Sequence, residues 1–118
     1  MSERKLFDTV PIAYEIVRVA KTMIDGKITF FALKLLGCLL MHLKNQEQAL
    51  LIFNTMRDIG YEFLNWSFVI TSFDLIGRSK QKDQQYKDSM ISYKNMLQLA
   101  WFCDSSEYEV RAYMGMAR

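Results

Sequence analysis

The chain has 118 residues, of which 51% are hydrophobic and one is proline, so it is long enough for one packed domain and too apolar to be disordered. Fifteen Lys and Arg residues against thirteen Asp and Glu give a net charge of +2. Binding to nucleic-acid phosphates needs a strongly basic surface. We therefore expect no nucleic-acid partner.

The cysteine and histidine content argues against a metal site. Cys38 and Cys103 lie far apart, and a single histidine, His42, cannot complete a zinc site with them. We expect two buried free thiols, as in the cytoplasm or another reducing intracellular compartment. The longest apolar run, Ile28 to Leu43, is shorter than the roughly 20 residues of a membrane span, and the N-terminus lacks the apolar segment of a secretory signal. No membrane insertion, cofactor or metal is expected.

Helical periodicity begins after a lead-in of residues 1–10. A first helix is predicted over 11–26, with Thr9 as its cap, Pro11 near its start and Asp25-Gly26 at its end. The apolar residues that recur at helical spacing, and are predicted to face inward, are Ile12, Ile16, Val19, Ala20 and Met23.

The next two helices are predicted as a hairpin. The helix from about Ile28 to Lys44 is apolar nearly all round, so it must be covered on several sides. Gly37 in its middle is best explained by the close approach of a neighbouring helix. The second helix begins at Gln46 and ends at Gly60 or at a turn near Asn65, which we favour. A connection as short as Lys44 to Gln46 makes the two helices antiparallel neighbours.

Three more helices follow. The first runs from Trp66 to Arg78 and the second from Tyr86 to Phe102, with Ser79 to Gln85 between them as a solvated polar connector. Asp104 to Glu107 supplies a cap and an acid for a last helix that runs to Arg118. Trp66 and Trp101 fall near helix ends, where we expect them to be packing anchors.

The chain also repeats itself. Leu36-Gly37, Ala49, Phe53 and Met56 recur forty residues later as Ile76-Gly77, Ser89, Tyr93 and Met96, and Met114-Gly115 gives a third start thirty-eight residues on. This order resembles the tetratricopeptide repeat (TPR) family, in a longer variant with a period of about 40 residues. The resemblance implies antiparallel helical hairpins stacked as a right-handed α-solenoid, with repeats at 28–65 and 66–103 and a partial repeat at 104–118. An irregular all-α bundle is the alternative.

In TPR proteins the first helix of each repeat lines a concave surface that receives a peptide or helix. By resemblance, a partner-binding groove here consists of Phe31, Lys34, Cys38, Met41 and His42 from the first repeat, Thr71, Asp74, Arg78 and Gln81 from the second, and Glu109, Ala112 and Met116 from the third. The alternative is that the polar residues among them form an ordinary solvated edge.

These patterns favour a protein-interaction or scaffold module of an intracellular assembly, which binds a partner segment along the first-helix face and stacks its ends on another chain. The alternative is a structural subunit or fragment buried in a larger complex, because apolar residues of the last helix, such as Tyr113, have no following helix to cover them. No phosphate loop, HExxH motif or nucleophile elbow occurs, so no enzymatic activity is expected.

Overall fold

A computed structural model describes residues 3–21 and 26–118, with side chains from Asp8 onward. These residues form helices and no strand, which confirms the all-α prediction. The helices are α1 (Glu3–Ala20), α2 (Gly26–His42), α3 (Gln46–Glu62), α4 (Trp66–Lys82), α5 (Tyr86–Phe102) and α6 (Ser106–Ala117). None of these helices is both long enough and apolar enough to cross a membrane.

From α2 onward a helix begins every 20 residues, because 17-residue helices alternate with three-residue turns. Every turn closes the preceding helix in the same way. In the first, the Lys44 N–H donates to the Met41 carbonyl at 3.1 Å and the Asn45 N–H donates to the Leu40 carbonyl at 2.9 Å. This pair of bonds is a Schellman motif, which needs a residue in the left-handed conformation. The residues that adopt it have φ between 52° and 61° and are Lys44, Leu64, Gln84 and Asp104.

The residue after each left-handed position is the N-cap of the next helix. Asn65 accepts a hydrogen bond from the Phe68 N–H at 3.2 Å, and Ser105 accepts one from the Tyr108 N–H at 3.4 Å. Such bonds satisfy N–H groups that have no partner within the helix. They confirm the predicted turn near Asn65 and the predicted cap between Asp104 and Glu107. Gln85, the cap of α5, makes no such side-chain bond.

Consecutive helices pack as antiparallel neighbours, and glycines let them approach closely. A Cβ atom on Gly37 would lie 2.5 Å from Cε1 of Phe53, and one on Gly77 would lie 2.7 Å from the ring of Tyr93. Both Phe53 and Tyr93 are fully buried. The predicted close approach at Gly37 is confirmed, and it recurs forty residues later.

Among the even-numbered helices, α4 also contacts both α2 and α6. Phe30 stacks on Phe68 with 3.9 Å between the ring centroids, which joins α2 to α4. Two hydrogen bonds join α4 to α6: one at 2.6 Å between the Ser67 and Tyr108 hydroxyls, and one at 2.9 Å from Gln81 to the Gly115 carbonyl. The first bond joins the N-terminal ends of the two helices and the second joins their C-terminal ends, so α4 and α6 run in the same direction.

The first helix differs from the prediction at both ends. It begins at Glu3, so Pro11 lies inside it rather than at its start and Thr9 is not its cap. Residues such as Glu3, Arg4 and Lys5 form helices readily, and proline tolerates helical φ although it removes one backbone hydrogen bond. Gly26 does not end α1; it begins α2. Asp25, predicted at the end of α1, lies outside the described residues.

The buried face of α1 also differs from the prediction. Ala13, Val17 and Ala20 are buried, whereas Ile12, Ile16 and Val19 are 60%, 43% and 48% exposed. The predicted inward residue Ala20 is confirmed and those three are wrong, because α2 covers only the side of α1 that carries the small residues. Met23 lies outside the described residues.

Three other predictions are wrong near helix ends. The connector Ser79–Gln85 is half helical, since α4 continues to Lys82. Ser79 is 2% exposed, and its hydroxyl donates to Oε1 of Gln46 at 3.0 Å.

Trp101 is 55% exposed because it lies on the outer side of α5, although Trp66 does pack edge-on against Tyr61 and Phe102. The two thiols are free but not buried: Cys38 is half-buried, and Cys103, in the turn after α5, is exposed.

Candidate partner-binding face

Six of the predicted groove residues occupy matching positions on α2 and α4. They are the sixth, ninth and thirteenth residues of each helix, counted from the first helical residue. On α2 these are Phe31, Lys34 and Cys38, and on α4 they are Thr71, Asp74 and Arg78. All six are exposed or half-buried, while most of their helical neighbours are buried.

The two helices bring this set together on one surface. The ring of Phe31 is 53% exposed and lies edge-on to Phe68 of α4, with 6.2 Å between the ring centroids. Further along, burial raises the pKa of the Cys38 thiol, and the positive charges of Lys34 and Arg78 oppose that rise. Lys34 and Arg78 therefore both act on the Cys38 thiol, one from the same helix and one from the neighbouring helix.

One ion pair lies within this surface. The Arg78 guanidinium contacts the Asp74 carboxylate at 3.3 Å, one helical turn away, and the Asp74 side chain is only 13% exposed. Pairs of this kind contribute about 0.3–0.5 kcal/mol to helix stability. The pair therefore fixes the direction of Arg78 more than it stabilises the fold, and 44% of the Arg78 side chain remains open to solvent.

The third part of the predicted groove is out of register. α6 begins 40 residues after α4, so Ala117 and not Gly115 corresponds to Gly77. Gly115 instead packs against the ring of Tyr93 on the edge opposite Gly77. The sixth and ninth residues of α6 are Arg111 and Met114, and Arg118, which directly follows the last residue of this twelve-residue helix, takes the thirteenth position; all three are exposed.

The residues predicted for α6 lie elsewhere. Ala112 is fully buried, so it belongs to the core and cannot line a surface. Glu109 and Met116 are half-buried, two positions away from the matching register. The regular 20-residue spacing of the turns would have located Arg111, Met114 and Arg118, but the turns carry no glycine to mark it.

We define the even-helix face as the residues at these three positions of α2, α4 and α6. The members of this face are Phe31, Lys34, Cys38, Thr71, Asp74, Arg78, Arg111, Met114 and Arg118. Its charged groups are mostly basic, and Arg111 pairs at 2.8 Å with Glu107 outside the face.

Three further groove predictions lie near the C-terminal ends of α2 and α4. Met41 is 7% exposed and belongs to the core, so its assignment to a binding surface is wrong: it faces the neighbouring helices. His42 is exposed at the last residue of α2. Gln81 is half-buried and uses its amide to hold the Gly115 carbonyl, so it joins α4 to α6.

Within the described residues, no group of three or more His, Cys, Asp or Glu side chains is placed to hold a metal ion. No family model, curated protein or solved structure matches this chain.

Proposed function

We propose that this protein is an interaction module that binds a segment of a protein partner along the even-helix face, as a TPR-like array within an intracellular assembly. The mechanism is capture by shape and charge: a peptide or helix lies across α2, α4 and α6, and their side chains contact it at regular intervals.

The observation that supports this proposal most is the alignment of exposed side chains on parallel helices. Apolar Phe31 and Met114 are 53% and 56% exposed on the same face as the charged Lys34 and Arg78. Apolar anchors among polar groups are typical of surfaces that bind peptides, because the anchors supply affinity and the charges supply orientation.

Selection of peptides from a displayed random library, followed by charge reversal on the protein, tests the proposal. We expect Lys34→Glu and Arg78→Glu each to weaken the selected peptides at least about fivefold, since both change the charge of the even-helix face. Lys94→Glu is the matched control, because Lys94 is exposed on α5, away from this face. Peptides whose affinity depends on Lys94 as much as on Lys34 and Arg78 would contradict the proposal.

A second candidate function, assembly through the ends of the array, rests on a different observation. Val110 and Tyr113 of α6 are 55% and 49% exposed. The residues at the same positions of α2 and α4 are at most 8% exposed, and these residues are Phe30, Leu33, Ile70 and Phe73. A helix placed on α6 as α5 is placed on α4 would cover Val110 and Tyr113.

The first helix, α1, also exposes apolar residues, at the N-terminal end of the array. Ile16 lies forty residues before Met56 and eighty before Met96, which are 0% and 1% exposed, yet Ile16 is 43% exposed. It lines an apolar groove of about 320 Å³ with Ile12, Val19 and Ile28. Exposed apolar surface of this kind favours a contact with another chain.

Light scattering coupled to size exclusion, at several protein concentrations, tests the second candidate. We expect mass that rises with concentration, and a lower mass for Tyr113→Glu. Leu51→Glu is the control, because Leu51 is exposed to a similar extent on α3, away from both ends. A monomer at every concentration would contradict assembly through contacts between copies of this chain and would leave the even-helix face as the binding surface.

A further inference from the structure

A cleft lies between the C-terminal ends of α4 and α6 and the start of α5. It has a volume of about 470 Å³ and is lined by Arg78, Gln81, Lys82, Tyr86 and Arg118. We call it the cationic cleft, because three of its lining residues are basic and none is acidic. It adjoins the even-helix face, to which Arg78 and Arg118 also belong.

A smaller cavity of about 100 Å³ lies beside the cationic cleft and shares Gln81, Tyr86 and Arg118 with it. The Tyr93 side chain lines this cavity and is fully buried. Its hydroxyl is the one buried side-chain polar atom without a hydrogen-bond partner among the described residues. A buried hydroxyl without a partner destabilises a fold, so its presence calls for an explanation.

Packing does not explain this hydroxyl. The ring of Tyr93 fits between Gly77 and Gly115, and at the corresponding place in α3 the ring of Phe53 fits against Gly37. Phe53 is as fully buried as Tyr93 without a hydroxyl. Core packing at this place therefore requires an aromatic ring but does not require the hydroxyl of Tyr93.

The charges around the hydroxyl identify what could pair with it. Burial and the Asp74 carboxylate raise the pKa of Tyr93, while the positive charges of Arg118 and Arg78 oppose the rise. Because the pKa is raised, the hydroxyl is protonated at neutral pH and can donate a hydrogen bond. Arg78 lies near the hydroxyl but does not meet the geometry of a hydrogen bond with it.

The other cations of the cleft have no fixed partner. Arg78 pairs with Asp74, but Lys82 and Arg118 form no ion pair within the described part of the chain. Basic residues are favoured at helix C-termini by the helix dipole, which accounts for cations here but not for the buried hydroxyl. The same dipoles oppose an anion, so an anion in the cleft would depend on these cations.

We propose that the cationic cleft and the Tyr93 hydroxyl bind a carboxylate from an acidic stretch of the partner segment. The planar guanidinium groups of Arg78 and Arg118 donate parallel hydrogen bonds that suit the two oxygens of a carboxylate, and Lys82 adds a third positive charge. This inference rests on the proposed function, since the acidic stretch belongs to the segment that crosses the even-helix face.

The test uses an acetylated and amidated hexapeptide of alternating glutamate and serine, with the glutamine counterpart and inorganic phosphate as further probes, in calorimetric titrations. We expect the glutamate peptide to bind at least about tenfold more tightly than the glutamine peptide. Tyr93→Phe should weaken it by roughly three- to tenfold without lowering thermal stability. The double variant Lys82→Gln/Arg118→Gln should weaken it by more than about tenfold, and Lys94→Gln by less than about twofold.

Equal binding of the glutamate and glutamine peptides would overturn the inference, as would an equal effect of Lys94→Gln and Tyr93→Phe. Binding of phosphate without binding of the glutamate peptide would overturn the assignment to an acidic peptide. Selected peptides that need Lys34 but are indifferent to Tyr93→Phe would overturn this inference alone and leave the proposed function standing.

Discussion

The residues with the most unusual conformation are the four in the turns. Lys44, Leu64, Gln84 and Asp104 have positive φ, a region in which a side chain's Cβ is crowded and which glycine adopts freely. Glycine is the usual residue at this place in a Schellman motif. The backbone hydrogen bonds of the turns compensate the cost here, and the absence of glycine concealed the 20-residue spacing from sequence reasoning.

We predict that Gln84→Gly stabilises the protein by about 0.5–1 kcal/mol, because glycine relieves the crowding at φ 60°. The neighbouring Asp83 has φ −90°, which any residue adopts. Asp83→Gly is therefore the matched control and should destabilise by about 0.5–1 kcal/mol. Urea denaturation gives both values. A loss of stability in Gln84→Gly would show that the left-handed turn is not under strain.

The two cysteines differ in reactivity. Cys38 is half-buried, and burial raises the pKa of its thiol. At pH 8 a smaller fraction of Cys38 is therefore thiolate than for a cysteine with the ordinary pKa. We expect iodoacetamide to modify Cys38 at least about fivefold more slowly than the exposed Cys103 in the folded protein. Mass spectrometry of peptides taken at timed intervals measures both rates. Modification in denaturant is the control, and similar rates in the folded protein would place Cys38 on an open surface.

At the scale of elements, helix boundaries were predictable where a short polar break interrupts the apolar periodicity. Both ends of α5 and the start of α6 agree with the sequence prediction, since Asp83–Gln85 and Cys103–Ser105 are short polar breaks in apolar periodicity. The end of α4 was missed because Lys80, Gln81 and Lys82 are polar. They are nevertheless good helix formers, and polarity alone does not end a helix.

Close contact between α3 and α4 depends on Gly60. A Cβ atom there would lie 2.7 Å from Cγ2 of Val69 and 2.9 Å from its backbone nitrogen, which cannot move without shifting α4. We predict that Gly60→Ala destabilises the protein by about 1–3 kcal/mol. Gly26→Ala is the control, because its nearest neighbour is the ring of Phe63, which is 53% exposed and can rotate away. Equal losses in the two variants would contradict this explanation.

At the scale of the molecule, the sequence predicted which helices are neighbours but located only some of the surfaces that remain open. The repeat from Gly37 to Gly77 located the exposed residues of α2 and α4, because those helices are in register. It misplaced the exposed residues of α6, because Gly115 makes room for the ring of Tyr93 and does not occupy the position of Gly37 and Gly77. Periodicity also could not tell which side of α1 is buried, since both Ile16 and Ala13 lie on apolar stripes and only packing against α2 decides between them.

The order of packing makes the ends of the array weaker than its middle. α3 packs on α2 and α4, and α4 packs on α3, α5 and α6, whereas among the described residues the main contact of α1 is with α2 and that of α6 is with α5, with a smaller contact to α4. We predict that amide hydrogens of α1 and α6 exchange at least about tenfold faster than those of α3 and α4. Exchange followed by mass spectrometry resolves the helices. Uniform protection along the chain would show that the protein opens only as a single unit.

The most direct measurement of the proposed function is the footprint of a selected peptide on the protein by amide and side-chain NMR. Binding along the even-helix face predicts shifts that cluster at Phe31, Lys34, Thr71, Asp74 and Met114, with little change at Leu51 and Ile91 on the outer sides of α3 and α5. A footprint centred on α3 and α5, or confined to one end of the molecule, would contradict the even-helix face as the binding surface.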